Sequence, residues 1–245
     1  MIDLGEKIVN MNYQYNQTGK ISIIVPTLNE EKNIEVAITS TEFAKDIEVI
    51  VVDGGSQDDT VGITQGLGIK VICSNPGRAC QMNVGALLAT GNILLFLHAD
   101  TTLPLQFDDM VRDALEKPGV VAGAFNLRID ASGWSLRLVE WGVRIRSHFF
   151  HLPYGDQAIF IKREVFEQVG GFPEIPIMED FEMMRRLQRI GSIAIVQTAV
   201  LTSARRWLQK GVFKTTLINQ IAIIAYFLGV SPTQIRYWYR GKNNT

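Results

Sequence analysis

The chain has 245 residues, 47% of them apolar, and a formal net charge of −1, enough apolar material for one large core or a core with a small appendage. Its two cysteines, Cys73 and Cys80, match neither a disulfide framework nor a paired CxxC metal pattern; both are expected in the core, and they point to a reducing compartment. Residues 1–182 hold 14 basic and 25 acidic groups, whereas residues 183–245 hold ten Lys and Arg and no acid; this suits phosphate, pyrophosphate or an anionic membrane surface and, with no recognisable nucleic-acid module, argues against nucleic acid.

Residues 1–19 read as a loose leader without the basic start, apolar core and small-residue cleavage site of a secretory signal. ISIIV (21–25) is a β-rich run broken by Pro26-Thr27-Leu28-Asn29-Glu30 before a helical stretch over 31–43. EVIVVD (48–53) repeats the scheme, with Gly54-Gly55-Ser56 and a helix over 58–65. A strand over 69–73, a helix over 77–89 and the apolar strand ILLFLH (93–98) follow. Strands alternating with helices imply right-handed crossovers and a mainly parallel central sheet, an α/β fold.

After Pro118 the pattern changes, so residues 20–200 divide into halves of one domain, 20–118 and 119–200. The second half reads as a strand (120–129), an amphipathic helix (134–150), a strand (158–162), a helix (177–191) that opens with acids and closes with Arg and Gly, and a last strand (192–196).

Residues 201–245 form a basic, apolar helical tail. Its 21 uncharged residues between Lys214 and Arg236 are interrupted by Asn219, Gln220 and Ser231-Pro232-Thr233-Gln234, leaving a 14-residue apolar run, short for a membrane span of about 20. Through 212–240 the tail either packs on the core or on a second copy of the chain, as helices apolar all round do, or lies on a membrane surface, helped by Arg205, Arg206, Lys210, Lys214, Arg236 and Arg240 and by the aromatics of RYWYR (236–240).

In open parallel sheets, ligands bind beyond the carboxyl ends of the strands. Three strands here end in polar or acidic groups that would meet on one rim: Pro26 to Glu30, Asp53 to Ser56, and His98-Ala99-Asp100. Asp53 suits a base or ribose and its glycines admit a ligand to the backbone, though VVDGGS alone is equally a turn. His98 and Asp100, two apart on a strand, face one side and could share a divalent cation; a strand-end cap explains the same tripeptide.

Together, VPTLNEE, VVDGGSQDDT, GRACQMNVGA, LLFLHADT and IMEDFEM, in this order on this α/β pattern, resemble family 2 glycosyltransferases of the GT-A fold over about residues 20–200. The nearest likeness is to a bacterial subgroup with GR…QMN.GA, YGDQAIF and SARRW signatures.

The resemblance implies an inverting, metal-dependent hexosyltransferase using a nucleotide-diphosphate sugar, UDP before GDP. It places Pro26, Thr27, Asn29, Glu30, Asp53 and Gly55 at the nucleotide, with Asp53 on the base edge. Arg78 and Gln81, one helical turn apart, would reach the nucleotide or its sugar. Asp100 matches the second acid of the DxD motif, which holds Mn2+ or Mg2+ with the diphosphate; His98 replaces the first acid, across Ala99, and imidazole remains a good Mn2+ ligand. Asp180 is the implied base, taking the acceptor hydroxyl's proton during attack on C1, with Glu179 beside it; taken alone, this pair is equally a macrodipole pair at a helix start. Tyr154, Asp156 and Gln157 would border donor sugar and acceptor, and Arg205, Arg206 and Trp207 would close over the diphosphate.

The tail favours a lipid-like or hydrophobic acceptor and a place in the cytoplasm, at the inner face of the cell membrane. A competing reading, prompted by the altered DxD, is a nucleotide-sugar-binding protein without turnover. A dinucleotide-dependent oxidoreductase is disfavoured, because no GxGxxG follows the first strand.

Overall fold

The computed structural model describes residues 19–240; the expected leader up to residue 18, and residues 241–245, lie outside that range. Three strand–helix units open the chain: β1 (Ile21–Thr27), α1 (Ile34–Thr39), β2 (Ile47–Asp53), α2 (Thr60–Gly66), β3 (Lys70–Cys73) and α3 (Arg78–Leu88), leading to β4 (Ile93–Phe96). There follow β5 (Thr101–Thr102), α4 (Phe107–Glu116), β6 (Val120–Asp130), α5 (Trp134–Phe150), a single 3-10 turn over Gly155–Gln157, β7 (Ile159–Lys162) and α6 (Arg163–Gln168). The chain continues through α7 (Glu179–Leu187), β8 (Ser192–Ser203), α8 (Arg205–Lys210), α9 (Val212–Phe227) and α10 (Pro232–Arg240).

The strands form one eight-stranded sheet in the order β3-β2-β1-β4-β7-β6-β8-β5. Pairings through β3-β2-β1-β4 and between β6 and β8 are parallel, whereas β7 runs antiparallel to both β4 and β6, and β5 antiparallel to β8. The α/β alternation therefore yields a curled, mixed sheet flanked by helices, parallel in its first half.

Strand alternation sorts the core. Ile21, Ile23 and Val25 of β1, with Ile93 and Leu95 of β4, pack on one side with Phe107, Val111 and Phe125. Ile24, Leu94 and Phe96 face the other side, against Met82 and Ala86 of α3 and Met183, Met184 and Leu187 of α7. There Phe96 meets Phe172 edge-on at a centroid distance of 4.8 Å. Each such buried ring contributes on the order of 1.5–3 kcal/mol. Gly85 lets α3 lie against β1, because a Cβ there would collide with the Ile24 side chain.

Several expected boundaries move. β4 stops at Phe96, so His98 and Asp100 stand in the turn beyond it and not on the strand. β8 runs to Ser203 instead of ending at 196, because after a register shift it continues along β6 and its end gains the short β5 as a partner. The cysteines are not core residues: Cys73 is exposed at the end of the edge strand β3, Cys80 is half-buried on α3, and both are free.

Candidate active site

A cleft of about 880 Å³ opens beyond the carboxyl ends of β1 and β4, the position that parallel strands favour for ligands. Its walls include Pro26, Thr27, Glu30, Arg78, His98, Ala99 and Asp100 on one side and Tyr154, Asp156, Glu179, Asp180, Arg205, Arg206 and Trp207 on the other. Residues from six separated sequence motifs thus meet in one place.

The first wall is built on a hydrogen-bonded turn pair. Asp53 accepts from the Gly55 and Ser56 amides at 2.8 and 2.9 Å, from Ser56 Oγ at 2.5 Å and from Thr27 Oγ1 at 3.3 Å. Both carboxylate oxygens are occupied and the residue is buried. Gly55 takes φ +97° in this turn, a region open to glycine. Asn29, also left-handed at φ +57°, locks the two turns together: its amide donates to Ser56 Oγ and its Oδ1 accepts from the Gln57 amide. Asn29, Asp53 and Gly55 were expected at the nucleotide; they do not line the cleft, and they lock the turn after β2 to the turn over 26–30, which does.

Gln81 lines the cleft, but its donors are turned to the strands. Its Nε2 donates to the Thr27 and Val52 carbonyls at 2.7 and 2.8 Å, tying the ends of β1 and β2 together. Both amide protons are used, so this side chain borders the cleft without a free donor. Two residues on, Asn83 exchanges bonds with the backbone of Phe172, a role the sequence reading did not foresee.

Arg78, at the first turn of α3, reaches Glu179 Oε1 at 3.2 Å. Burial works against its charge, but Glu179, Asp180, Asp100 and Asp156 outweigh that and raise its pKa. Glu179 is itself buried, and burial raises its carboxyl pKa despite Arg78. The neighbouring Asp180 points elsewhere: its Oδ2 accepts from the Gly155 amide at 2.8 Å and its Oδ1 from the Phe181 amide at 2.7 Å. Met178, immediately before the pair, holds φ +73°, and Ala158, closing the 3-10 turn, holds φ +48°. Such left-handed non-glycine residues each store on the order of 1–3 kcal/mol and cluster at functional sites.

The 3-10 turn is fixed from behind. Gln157 is fully buried; it donates to the Phe125 carbonyl at 2.8 Å and accepts from Arg146, Ser147 and the Tyr154 amide. It was expected beside donor and acceptor, but its carboxamide faces the core because the turn needs an internal anchor. Arg146 also stacks 3.4 Å above the Tyr154 ring, and burial pushes the Tyr154 hydroxyl up to about 12. Asp156 keeps an enclosed Oδ1 without a partner, and burial, with Asp180 and Asp100 nearby, raises it to about 6.

His98 stands against this turn. A Cβ on Gly155 would lie 2.7 Å from His98 Nε2, so only glycine fits there. Burial, then Arg78, lowers the imidazole pKa to about 3, which leaves it neutral. Its Nε2 is enclosed against Gly155 and unpartnered, while the residue itself lines the cleft. Asp100 does border open space, with its pKa raised by burial and by Glu30 and opposed by Arg205 and Arg78. Among the described residues, no three His, Cys, Asp or Glu side chains are grouped to hold a metal ion.

Arg205 closes the cleft from the tail side, donating to Glu30 Oε1 at 2.6 Å with Asp100 Oδ2 at 3.7 Å. Arg206 donates to Asn219 at 3.2 Å and lies 4.4 Å above the Tyr239 ring, while Trp207 is buried. Asn219 and Tyr239 were not foreseen; the signal was the Asn219-Gln220 pair inside an apolar helical run.

The family model described as Glycosyl transferase family 2 matches residues 22–172. A PGL/p-HBAD biosynthesis glycosyltransferase of Mycobacterium bovis is 32% identical over 165 residues, covering 62% of this chain and 62% of that protein. Glycosyltransferase AglE of Haloferax volcanii is 27% identical, covering 62% of this chain and 56% of that one. The matched region thus spans about three-fifths of these relatives' length. Among solved structures, S. aureus TarS 1-349 in complex with UDP-GlcNAc superposes with TM-score 0.60 at 20% identity, covering 75% of this chain and 58% of that one. Glucosyl-3-phosphoglycerate synthase from Mycobacterium tuberculosis, in complex with Mn2+, UDP and glucosyl-3-phosphoglycerate, gives 0.58 at 23% identity, covering 75% and 72%. These structures share the GT-A fold, and with the family model matching more than half of the sequence, the chain belongs to glycosyl transferase family 2.

Proposed function

We propose that the cleft transfers a sugar from a nucleotide-diphosphate donor, a UDP-sugar before a GDP-sugar, to a hydroxyl of a hydrophobic acceptor, with inversion at the anomeric carbon. The observation that carries this reading is the divergence of the adjacent acids: Glu179 is engaged by Arg78, while Asp180 sits on the cleft wall, held by backbone amides and in no ion pair among the described residues. A carboxylate so held keeps free lone pairs and a fixed aim, as a general base needs.

In this reaction Asp180 takes the acceptor hydroxyl's proton as the oxygen attacks C1 from the face opposite the diphosphate. The C1–O bond to the diphosphate breaks, and the nucleoside diphosphate departs with that electron pair. Arg78, Arg205, Arg206 and Arg236 line the cleft and border the space for its charge.

Asp100 is the side chain that would hold Mn2+ or Mg2+. One carboxylate completed by donor phosphate oxygens is a usual Mg2+ arrangement, which fits a site with no three-residue cluster. Such an ion would supply charge neutralisation of the leaving diphosphate. The solved relatives described as complexes with Mn2+ support this assignment. Support for a hydrophobic acceptor comes from the far wall, where Ile177, Phe181, Ala222 and Ile223 line the cleft. A donor of this class and two free cysteines suit the cytoplasm.

Calorimetric titration with UDP and GDP, with and without Mn2+, on the wild type and Asp100→Ala tests the donor side. Tight binding of UDP that needs the metal and is lost in the variant is expected; no binding of either nucleotide under any condition would sink the proposal.

A further inference from the structure

Helix α9 has two opposite faces. Asn219, Ala222 and Ile223 look into the cleft, and Ala225 packs with Ile177 and Ile235. On the other side Phe213, Leu217, Ile221, Ile224 and Leu228 follow one another at helical spacing, and all are exposed, Phe213 by 65% and Leu228 by 79%. Half of this apolar helix is therefore left uncovered by the chain's own core.

Helix α5 carries a second stripe at the same spacing. Trp134, Leu138, Trp141 and Phe149 are exposed, Trp134 by 73% and Trp141 by 61%. The stripes join, because the Trp134 and Phe213 rings meet at a centroid distance of 6.0 Å. Single exposed apolar residues are ordinary, whereas two aligned and connected stripes mark an interaction surface.

The surrounding charge selects the occupant. Lys210, Lys214 and Arg144 are exposed beside the stripes. Helices α8, α9 and α10 contain no Asp or Glu. The one acid on α5, Glu140, is held by Arg137 at 3.0 Å. Aromatic rings and cations at the margin of an aliphatic face suit the headgroup layer of an anionic bilayer. No helix among the described residues is long and apolar enough to cross a membrane, so the contact is peripheral.

We propose that α5 and α9 together form a docking face for an anionic lipid bilayer, holding the tail-lined end of the cleft at the membrane surface where a lipid-borne acceptor is met. The acceptor's place rests on the transferase reading, but vesicle binding needs no turnover. The test uses the full chain, with cosedimentation and tryptophan fluorescence on phosphatidylcholine vesicles with and without phosphatidylglycerol.

Sedimentation with the anionic vesicles is expected, with a blue-shifted emission and weakening at high salt. Binding should fall roughly tenfold or more in a Trp134→Ser/Trp141→Ser/Leu217→Ser variant, and severalfold in Lys210→Glu/Lys214→Glu. UDP binding, measured on the same preparations, should not change. No vesicle binding by the wild type, or binding indifferent to these substitutions, overturns the proposal. So does a concentration-dependent dimer that the apolar substitutions abolish in the absence of any vesicle binding; that result assigns the face to a second copy. Vesicle binding that behaves as expected while UDP fails to bind leaves the docking face standing and removes the donor reading.

Discussion

The two walls of the cleft treat buried polar groups in opposite ways. On the β1–β2 side every feature is satisfied: Asp53 accepts four hydrogen bonds, Gln81 spends both amide protons on strand carbonyls, and Asn83 is paired with a backbone peptide. On the side of the 3-10 turn and α7, Asp156 Oδ1 and Trp207 Nε1 are enclosed without partners, the carboxyl pKa values of Asp156 and Glu179 are raised, and two left-handed residues flank the chemistry. Native proteins leave few buried polar atoms unpaired. The first wall is therefore a finished frame, and the second holds unmet polar demand that a bound ligand can answer.

Asp180→Asn attacks the second wall where it matters most. We predict that transfer falls by about 10²- to 10⁴-fold while UDP affinity stays within severalfold, read by product formation and calorimetry. Loss of both together would make Asp180 a donor-binding residue instead.

Gln81→Leu attacks the first wall. It should lower stability by about 1–3 kcal/mol, because two buried carbonyls lose a donor, and chemical denaturation measures this. If the variant were as stable as the wild type, the frame interpretation would be wrong.

Asp156→Asn should act in the opposite direction. The Asp156 carboxyl, raised from its ordinary 3.8 to about 6, holds its proton more tightly in the folded than in the unfolded chain. Stability is therefore lost as pH rises through that window. The variant should gain about 1–2 kcal/mol above pH 6, discounted for its partial exposure, and the gain should shrink towards pH 4, a trend that melting curves across pH would follow. A pH-independent difference would detach the effect from this carboxyl.

The smallest effect is expected from Arg205→Gln, which removes the guanidinium between Glu30 and Asp100. Affinity for Mn2+ alone should rise, and affinity for UDP should fall, each by roughly threefold to tenfold. Changes of the same sign would contradict a shared position for guanidinium and metal.

The satisfied wall was also the legible one, although Asp53 and Gln81 turn out to bond the protein's own backbone. Periodicity fixes β1, β2 and β4, and the strand-end motifs point to the rim, but a sequence does not say whether Gln81 turns its amide to a ligand or to a carbonyl. Likewise Glu179 and Asp180 are adjacent and chemically alike; only the positions of Arg78 and Gly155 separate them. The antiparallel direction of β7, the two-residue β5 and the continuation of β8 past 196 escape because their pairing is decided by partners far along the chain. In α9 the apolar residues of both faces merge into one run, and Asn219, read with Gln220 as an interruption, marks the inward side.

The contact between Glu30 and Arg205 joins positions 175 residues apart. During synthesis, the sheet that carries Glu30 and Asp100 emerges long before the guanidinium that bridges them. A chain cut before α8 would keep all eight described strands yet lose the cation that binds its first loop to its last strand's end, so the charge balance of the cleft is a late event in folding.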